Sequence, residues 1–326
     1  MQFLEQFKDK KIYFCGDTDL DGVSSYIVFL YYIADICNDF NYTLTSERDM
    51  SEFNESHAKK ADIILFTDIT PTVELYKHLT EDLHKQVILF DHHIGPRDEL
   101  LAVVKDNYYF TTEKCGAKIL LDTLTKGIRV KKVVYEFIER VDLYDRYVTE
   151  SALWKDAKDL HNVMYGYVNW FAEEDNNTRY NKFINAQMQK LVSDKYFYLT
   201  SYEKELALKA EKKEKDNLNQ ALNNIQFRTD NSNNQYGYFE CSSKLSIVAM
   251  TLLNKYPNIK YIIGHSTYQE CAKNDPNGKV SLRCREDFDV SLIAQKHNGN
   301  GHKQSSGAKL SLEDFDKLRK GRMHLI

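Results

Sequence analysis

The sequence predicts an α/β protein whose N-terminal part is a parallel sheet wound with helices. Short apolar, β-rich runs occupy residues 11–15, 61–66 and 86–90, and each run is bounded by polar residues. Segments with a helical pattern, 23–37 and 72–83, lie between these runs. Strands that alternate with helices form parallel sheets, and continuous apolar runs suit strands that are covered on both faces.

A second, smaller α/β domain is predicted in the C-terminal part of the chain. It begins after a polar stretch at 228–235. Strand-like runs then cover residues 236–241, 259–265 and 279–284, and residues 244–256 have a helical pattern. The length of the chain is sufficient for two domains of ordinary size, each with its own core.

The residues from Ser193 to about Asn224 are highly charged and helical in pattern. Mixed acidic and basic runs at 203–205 and 211–215 favour a solvated helix with i,i+4 pairs over a nucleic-acid-binding patch. Such a helix would connect the two domains. The expected boundaries are 1–192 for the first domain, 193–227 for the helical connector and 228–326 for the second domain.

The bulk composition is that of a globular protein. Of the 326 residues, 42% are hydrophobic and 28% are charged, and no run of about 18 apolar residues predicts a membrane span. Residues 1–11 lack the apolar core of a signal peptide. The six cysteines have no CxxC spacing, so neither a zinc site nor a disulfide framework is predicted. We therefore expect a reduced, cytoplasmic protein.

Charge and aromatic content bear on nucleic-acid binding. The net charge of −4 gives no overall electrostatic footprint for a polyanion. A cluster of metal-binding carboxylates would lower the total charge even where a local groove is basic. The 22 tyrosines and 17 phenylalanines are enough for base stacking, but most of them must belong to the core, so abundance identifies no stacking residue.

An aspartate-rich turn, residues 16–22, follows the first predicted strand. Asp17, Asp19 and Asp21 occupy alternate positions in it. Three carboxylates so close together cannot all be ionised without a cation between them, which indicates a metal site. A surface turn and a calcium-binding EF-hand loop are the alternatives. The EF-hand is disfavoured because the twelfth loop position is Val28 rather than glutamate.

Further candidate ligands follow the later strands. Asp68 comes just after the second apolar run, although a single aspartate there is also typical of a helix cap. Asp91, His92 and His93 follow the third run directly, and imidazole and carboxylate groups are ligands of first-row metals. Because ligands bind at the carboxyl ends of the strands in such sheets, these residues are expected to share one crevice.

Together these segments resemble the DHH phosphoesterase superfamily, which is named for its Asp-His-His triplet. Residues 16–25 resemble the first motif of the RecJ-type exonucleases, Asp68 takes the place of the second motif, and residues 90–93 match the third. The order and the spacing of the motifs also fit. Asp142 and Asp145, at the end of a predicted helix, both fit the loose fourth motif. A capped helix end is the other interpretation of that segment.

The C-terminal part resembles the DHHA1 substrate-binding domain. The resemblance rests on residues 280–283, 288–294 and 299–307, with Asn300 as a departure from the usual Gly-Gly-Gly-His run. It implies a parallel-sheet DHH domain followed by a smaller α/β DHHA1 domain, with the catalytic cleft between them. Residues 146–225 carry no recognised motif.

The DHH resemblance implies a centre of two divalent cations, with Mn²⁺ expected and Mg²⁺ as the alternative. Asp19 and Asp21 would each serve one ion, and Asp68 would bridge the two. His92 would ligate one ion, and Asp17 would take the place that a histidine fills in other branches of the superfamily.

The same resemblance assigns roles to the remaining residues of the first domain. An aspartate of the fourth motif would complete the shell of one ion, with Asp142 preferred to Asp145. Asp91 would hold His92 without binding a metal ion itself, and His93 would face the scissile phosphate.

In the DHHA1-like domain, the resemblance implies a substrate-binding surface that holds no metal. The guanidinium of Arg283 would hold two phosphate oxygens at once. Gly299 and Gly301 would let the backbone approach a phosphate, His302 would donate a hydrogen bond to it, and Ser306 belongs to the same loop. A tight turn with exposed side chains is the alternative interpretation.

These implications predict a two-metal phosphodiesterase that hydrolyses single-stranded DNA, RNA or short oligonucleotides to mononucleotides. Family II inorganic pyrophosphatases are disfavoured because their C-terminal domain is different. A small two-domain chain favours short substrates, as in nano-RNases, over the longer strands of RecJ exonucleases. The alternatives are a cyclic-nucleotide or cyclic-dinucleotide phosphodiesterase and a catalytically silent nucleotide-binding protein. The presence of every expected class of ligand argues against the silent protein.

Overall fold

The computed structural model describes residues 3–45, 52–93, 100–104, 106–168, 175–266 and 278–322. The chain divides into two compact units, Met1–Leu208 and Lys209–Ile326. The division falls inside one long helix, Ser201–Asn224. Each unit is built on a sheet of its own.

The first unit contains a five-stranded parallel sheet in the order β2-β1-β3-β4-β5. Successive residues of the central strands face opposite apolar layers: Phe14 and Leu65 face one layer, and Cys15 and Phe66 face the other. This strand order places a topological switch point between β1 and β3, where doubly wound sheets bind their ligands. The strands are β1 (Lys11–Gly16), β2 (Asp39–Leu44), β3 (Ile63–Thr67), β4 (Gln86–Asp91) and β5 (Tyr108–Phe110).

Helices cover both faces of this sheet, and a short 3-10 helix, Leu4–Phe7, precedes β1. The layer that contains Phe14 is formed with α1 (Leu20–Tyr32), α4 (Gly116–Leu124), α5 (Lys132–Asp145), α6 (Trp154–Tyr167) and α7 (Asn176–Ser193). The layer that contains Cys15 is formed with α2 (Glu55–Lys60), α3 (Val73–Lys77) and the π-helix His78–Asp82 that continues α3. Burial on both faces explains why the central strands are continuous apolar runs.

The second unit contains a mixed sheet in the order β10-β11-β9-β8-β7-β6. β7 and β8 run parallel, whereas the other neighbouring strands are antiparallel. The strands are β6 (Gln226–Thr229), β7 (Gln235–Cys241), β8 (Tyr261–Ser266), β9 (Gly278–Cys284), β10 (Asn300–His302) and β11 (Ser305–Leu310).

Three helices pack on this second sheet, and α8 (Ser201–Asn224) contributes Ala221 to one of its cores. α9 (Leu245–Lys255) packs against Phe239 on one face. α10 (Ser291–Lys296) and α11 (Leu312–Arg319) pack on the other face. None of the helices within the described ranges has both the length and the apolar composition that crossing a membrane requires.

The predicted α/β class and the strand runs are confirmed, and the differences lie at the boundaries and edges. The helix expected at 23–37 is α1, which begins at Leu20 because Asp19 caps it. The helix expected at 72–83 is α3 followed by the π-helix. The edge strands β2, β5, β6 and β10, and also β11, were not predicted from the sequence.

Candidate metal centre

The ends of neighbouring strands bring the predicted ligands together. Gly16, at the end of β1, pairs with Thr67 of β3, and Thr67 pairs with Phe90 of β4. Asp17 and Asp68 follow directly and therefore leave the sheet at one edge. That edge is the switch point at which the strand order reverses.

The aspartate-rich turn after β1 is closed by a glycine. Asp19 Oδ1 accepts a hydrogen bond from the Gly22 amide at 3.0 Å and so caps α1. A Cβ on residue 22 would collide with the backbone of Asp17, so this turn requires glycine. Asp17 is held close to the other carboxylates. Its pKa is raised to about 7, mainly by burial and secondly by the negative charge of Asp19.

Asp21 is buried and bound to the N-terminus of α4. Its Oδ2 accepts from the Gly116 amide at 2.6 Å, and its Oδ1 accepts from the Ala117 amide at 2.7 Å. A Cβ on Gly116 would lie 3.0 Å from the Cβ of Asp68, so the glycine lets α4 approach both aspartates. Gly116 and Ala117 were not predicted as site residues, although a glycine directly before an apolar helical run was the available signal.

Asp68 has a left-handed backbone conformation next to the other ligands. Its φ is 57°, a value that non-glycine residues rarely adopt and that is often found at functional sites. Its amide donates to the carbonyl oxygen of Phe90 at 2.8 Å. Its Oδ1 lies 3.0 Å from Nε2 of His92, and its buried Oδ2 has no hydrogen-bond partner in the part of the chain that the structure describes. Burial and then the charge of Asp21 raise the pKa of Asp68 well above its usual value.

His92 lies among three aspartates. Its Nε2 is 3.0 Å from Asp68 Oδ1 and 3.7 Å from Asp21 Oδ2, and its Nδ1 is 3.6 Å from Asp145 Oδ2. Burial lowers the pKa of His92 despite the opposing charges of Asp21 and other aspartates. The ring is therefore held in its neutral form, which is the form that ligates metals.

The Asp91 carboxylate is committed to hydrogen bonds within the protein. Its Oδ1 accepts from Nδ1 of His93 at 2.7 Å and from the amides of His92 and His93 at 2.8 and 3.2 Å. Its Oδ2 accepts from the hydroxyl of Thr70, a residue that the sequence analysis missed. Burial tends to raise the pKa of Asp91, but the hydrogen bonds from His93 and Thr70 outweigh burial and lower it.

The expectation that Asp91 holds the ring of His92 is therefore wrong. The carboxylate accepts both following amides, which forms a local turn, and this turn brings the ring of His93 back onto Oδ1. The ring of His92 is directed instead to Asp68. Asp91 thus positions His93.

Asp142 and Asp145 lie in the last turn of α5 and have different partners. Asp142 accepts from the Cys115 amide at 2.8 Å and from Nε and Nη2 of Arg146 at 3.1 and 2.6 Å. Asp145 lies near His92, and its buried Oδ2 has no hydrogen-bond partner among the described residues. These contacts favour Asp145 as the carboxylate available to a cation, rather than the Asp142 expected from the sequence, because the charge of Asp142 is already balanced by Arg146.

The described residues fit a centre for divalent cations. Three groups of side chains have ligand atoms within 4.8 Å of one another. Buried carboxylate oxygens without hydrogen-bond partners, on Asp68 and Asp145, are atoms that a cation would satisfy. Carboxylate-rich sets suit Mn²⁺ and Mg²⁺, and imidazole binds first-row metals. The groups are Asp68 with His92 and His93, Asp21 with His92 and Asp145, and Asp17 with Asp19 and Asp68.

The comparison with protein families agrees with this geometry. Residues 11–146 match the profile of the DHH family, N-terminal domain. Over these residues the chain is similar to the N-terminal domain of the DHH family. The matched range contains all of the clustered side chains and runs from β1 to the residue after α5. A comparison with curated proteins finds no match.

Solved structures of DHH proteins are similar to this chain over nearly its whole length. RecJ of Thermus thermophilus in complex with Mn²⁺ is 14% identical with a TM-score of 0.61, and the match covers 98% of this chain and 53% of that one. Exonuclease RecJ bound to manganese is 15% identical with a TM-score of 0.60, covering 98% of this chain and 91% of that one.

A pGpG-specific phosphodiesterase of Vibrio cholerae is also similar. It is 15% identical with a TM-score of 0.54, and the match covers 95% of this chain and 96% of that one. At such identities the likeness shows a shared fold. The Thermus thermophilus RecJ has been solved with Mg²⁺ as well as with Mn²⁺.

Outside the residues that match the DHH profile, the glycine-rich stretch of the second unit forms a β-hairpin. β10 and β11 are antiparallel, with Gly301 opposite Ser306. The Gly299 amide donates to the carbonyl oxygen of Ala294 at 2.8 Å. A Cβ on Gly299 or Gly301 would collide with the backbone of β11, so both glycines are required for this close pairing. The Gly299 amide is therefore used inside the protein, so it is not available to the phosphate that the backbone was expected to approach here.

Arg283 lies on β9, opposite Ser305 of this hairpin. Its Nη1 donates to the carbonyl oxygen of Leu282 at 2.8 Å and lies 3.2 Å from Oγ of Ser281. Ser306 is buried on β11, and the side chain of His302 lies outside the described part of the structure. Every potential metal-binding group found within the described ranges belongs to the first unit.

Proposed function

We propose that this chain is a metal-dependent phosphodiesterase that hydrolyses single-stranded nucleic acid or short oligonucleotides to mononucleotides. The observation that carries the proposal is the cluster of carboxylates and imidazoles at one edge of the first sheet, with unpartnered buried oxygens on Asp68 and Asp145. The DHH match supports phosphoester chemistry. RecJ and the pGpG-specific phosphodiesterase, which share the fold, support a nucleic acid or oligonucleotide as substrate.

Two divalent cations, Mn²⁺ or Mg²⁺, would be held by Asp17, Asp19, Asp21, Asp68, His92 and Asp145. Bound there, they would activate water and neutralise the charge that grows on the phosphoryl oxygens. Burial and mutual repulsion raise the pKa values of Asp68 and Asp145. These carboxylates therefore need positive charge nearby to be ionised together at neutral pH.

The protein's own residues orient the histidine that would face the phosphate. The Asp91 carboxylate accepts the Nδ1 proton of His93, and Thr70 donates to the other oxygen of Asp91. This arrangement fixes the tautomer and the plane of the His93 ring. Nε2 of His93 is then the ring nitrogen that would meet a phosphoryl oxygen.

Substrate binding is assigned to the second unit, at Arg283, Ser306, His302 and the hairpin that Gly299 and Gly301 make possible. The planar guanidinium of Arg283 can hold two phosphate oxygens, which an ammonium group cannot do. Arg283→Lys should therefore raise KM for oligonucleotides and leave the metal content unchanged.

The decisive experiment is incubation with end-labelled linear oligonucleotides, from dinucleotides to long single strands, and with cyclic dinucleotides, in the presence of Mn²⁺. Release of mononucleotides from linear strands, with duplexes resistant, supports the proposal. Turnover of cyclic dinucleotides alone would favour a signalling phosphodiesterase. A protein that binds no metal and leaves bis(p-nitrophenyl) phosphate intact would be a nucleotide-binding protein instead.

A further inference from the structure

Exposed apolar side chains are concentrated on one region of the first unit. Tyr135 on α5 is 45% exposed, and Tyr196 and Tyr198, between α7 and α8, are 47% and 52% exposed. Val192 and Leu208 are both 62% exposed. We call these five residues the tyrosine surface. Apolar groups that are clustered and exposed in this way mark interaction sites.

Side-chain contacts connect the two segments that form this surface. The ammonium of Lys132 lies 4.6 Å from the ring centroid of Tyr196, and Lys132 is one helical turn before Tyr135 on α5. The ammonium of Lys131 donates to the carbonyl oxygen of Val192 at 3.3 Å. The N-terminal turn of α5 and the segment after α7 therefore form one continuous face.

A groove of about 430 Å³ opens beside Tyr198 and Leu208. This volume is in the range of small-ligand sites, roughly 300–1,000 Å³. Arg140, Phe197 and Lys204 also line the groove. Phe197 is largely buried at the base of the groove, with the Arg140 guanidinium 5.3 Å from its ring centroid.

The acidic groups of the groove are balanced by its cations. Asp156 pairs with Arg140 at 3.1 Å, and Asp159 pairs with Lys155 at 2.8 Å. Lys204 makes no ion pair within the described residues and adds a net positive charge. The groove is therefore suited to an anion.

Cations also lie against the exposed rings. The ammonium of Lys118 is 4.7 Å from the ring centroid of Tyr135, and that of Lys195 is 5.4 Å from that of Tyr196. Lys118 is paired with Asp122 at 2.8 Å, whereas Lys195, like Lys204, has no ion-pair partner within the described ranges. Alternating rings and ammonium groups match a polyanion that carries planar bases.

We propose that the tyrosine surface and its groove bind single-stranded nucleic acid, by stacking bases on the tyrosine rings and placing phosphates beside Lys195 and Lys204. The mixed charges of residues 193–224 favoured a solvated helix instead, because a charge pattern does not show which lysines are left without an acidic partner. Stacking tolerates any base because every base has a π-face, and the lysines supply the salt-dependent attraction to phosphate. A protein partner fits this surface less well, because lysine is depleted in protein–protein interfaces.

The surface and the metal centre are connected by one helix. Tyr135 and Asp145 are ten positions apart on α5, which is about 15 Å along the helix axis. A dinucleotide at the metal centre would not reach the tyrosine surface, whereas a longer strand can occupy both. The inference thus goes beyond the proposed hydrolysis: it adds a second site that makes affinity depend on strand length.

Binding is measured by fluorescence anisotropy with the full chain in a metal chelator, so that hydrolysis plays no part. The probes are labelled single strands of RNA and DNA of about 16 nucleotides, at the upper end of known site sizes. Tyr196→Ala with Tyr198→Ala should weaken binding at least about 30-fold, since two stacked bases are lost and each contributes about 1–3 kcal/mol. Lys195→Gln with Lys204→Gln should reduce the slope of log affinity against log salt by about 1.4, since each phosphate contact contributes about 0.7.

Matched controls use exposed residues outside the surface. Phe227→Ala removes an aromatic ring that is 55% exposed in the second unit, and Lys60→Gln removes an exposed ammonium at the end of α2. Neither control should change the affinity, and all the variants should hydrolyse bis(p-nitrophenyl) phosphate like the wild type. The proposal is overturned if the tyrosine and lysine variants bind the long strands normally. It is also overturned if sedimentation velocity shows a dimer of this chain that the tyrosine variants dissociate.

Discussion

Asp142 and Asp145 are three residues apart on α5, and replacing them one at a time should affect different properties. Asp142→Ala leaves the buried Cys115 amide without an acceptor, which costs about 1–3 kcal/mol. Loss of the partly exposed pair with Arg146 adds up to about 1 kcal/mol. A loss of about 3 kcal/mol from a unit of this size lowers Tm by about 6–12 °C.

Asp145→Asn should impair metal binding and activity rather than stability. Burial and then the charge of Asp21 raise the pKa of Asp145 well above its usual value, so the ionised carboxylate destabilises the metal-free protein at neutral pH. The neutral amide removes that repulsion, and Tm in chelator should stay the same or rise. Metal binding and phosphodiesterase activity should be lost, because the amide is a weaker ligand for a hard cation.

The assay combines thermal unfolding in chelator and in Mn²⁺ with metal content and hydrolysis of bis(p-nitrophenyl) phosphate. Asp142→Asn is the matched control, since its side-chain oxygen can still accept from Cys115, and its Tm should fall by less than that of Asp142→Ala. The assignment of Asp145 as the ligand would be refuted by an Asp142→Asn protein that is stable but metal-free beside an Asp145→Asn protein that is fully active.

Three further predictions concern the same centre. Asp68→Ala should lower activity by about 1,000-fold or more, since metal charge stabilisation is worth several kcal/mol. Chelation should abolish wild-type activity, and Mn²⁺ should restore it. Normal activity of chelated Asp68→Ala would exclude metal catalysis. Thr70→Val should lower kcat about 10–100-fold with metal content unchanged, whereas Thr70→Ser should keep most of the wild-type kcat. An equal loss of kcat in both variants would mean that the hydroxyl does not act through Asp91 and His93. The difference in free energy of unfolding between the chelated wild type and chelated Asp17→Asn, measured in urea, should shift in favour of the wild type as pH falls from about 7 towards 4. Burial raises the pKa of Asp17 to about 7, so native Asp17 binds a proton that unfolded Asp17 does not; a shift in favour of Asp17→Asn over that window would contradict this reasoning.

The central strands could be predicted from the sequence because each is buried on both faces. β1, β3 and β4 appear as apolar runs, and a buried strand needs little else to be recognised. The sequence also predicted that Asp17, Asp68 and the residues after β4 lie close together, because the carboxyl ends of parallel strands lie at one edge of the sheet.

The edge strands could not be predicted in the same way. β2, β5, β6 and β10 each pair with a single neighbour, so their sequences need not be apolar on both sides. β2 has an exposed or half-buried first part, and β6 is largely exposed. Edge strands depend on the presence of a neighbouring strand more than on their own residues.

The partners of individual carboxylates were decided only by the tertiary structure. Asp21 binds the amides of Gly116 and Ala117, about a hundred residues away, and no local pattern indicates that pairing. Asp142 and Asp145 fit the same sequence motif, but α5 is rotated so that Arg146 and Cys115 engage the first and His92 lies near the second. The sequence by itself determined which residue types meet at the edge of the sheet. Which oxygen is left without a partner, and is therefore available to a cation, depends on packing between elements distant in the chain.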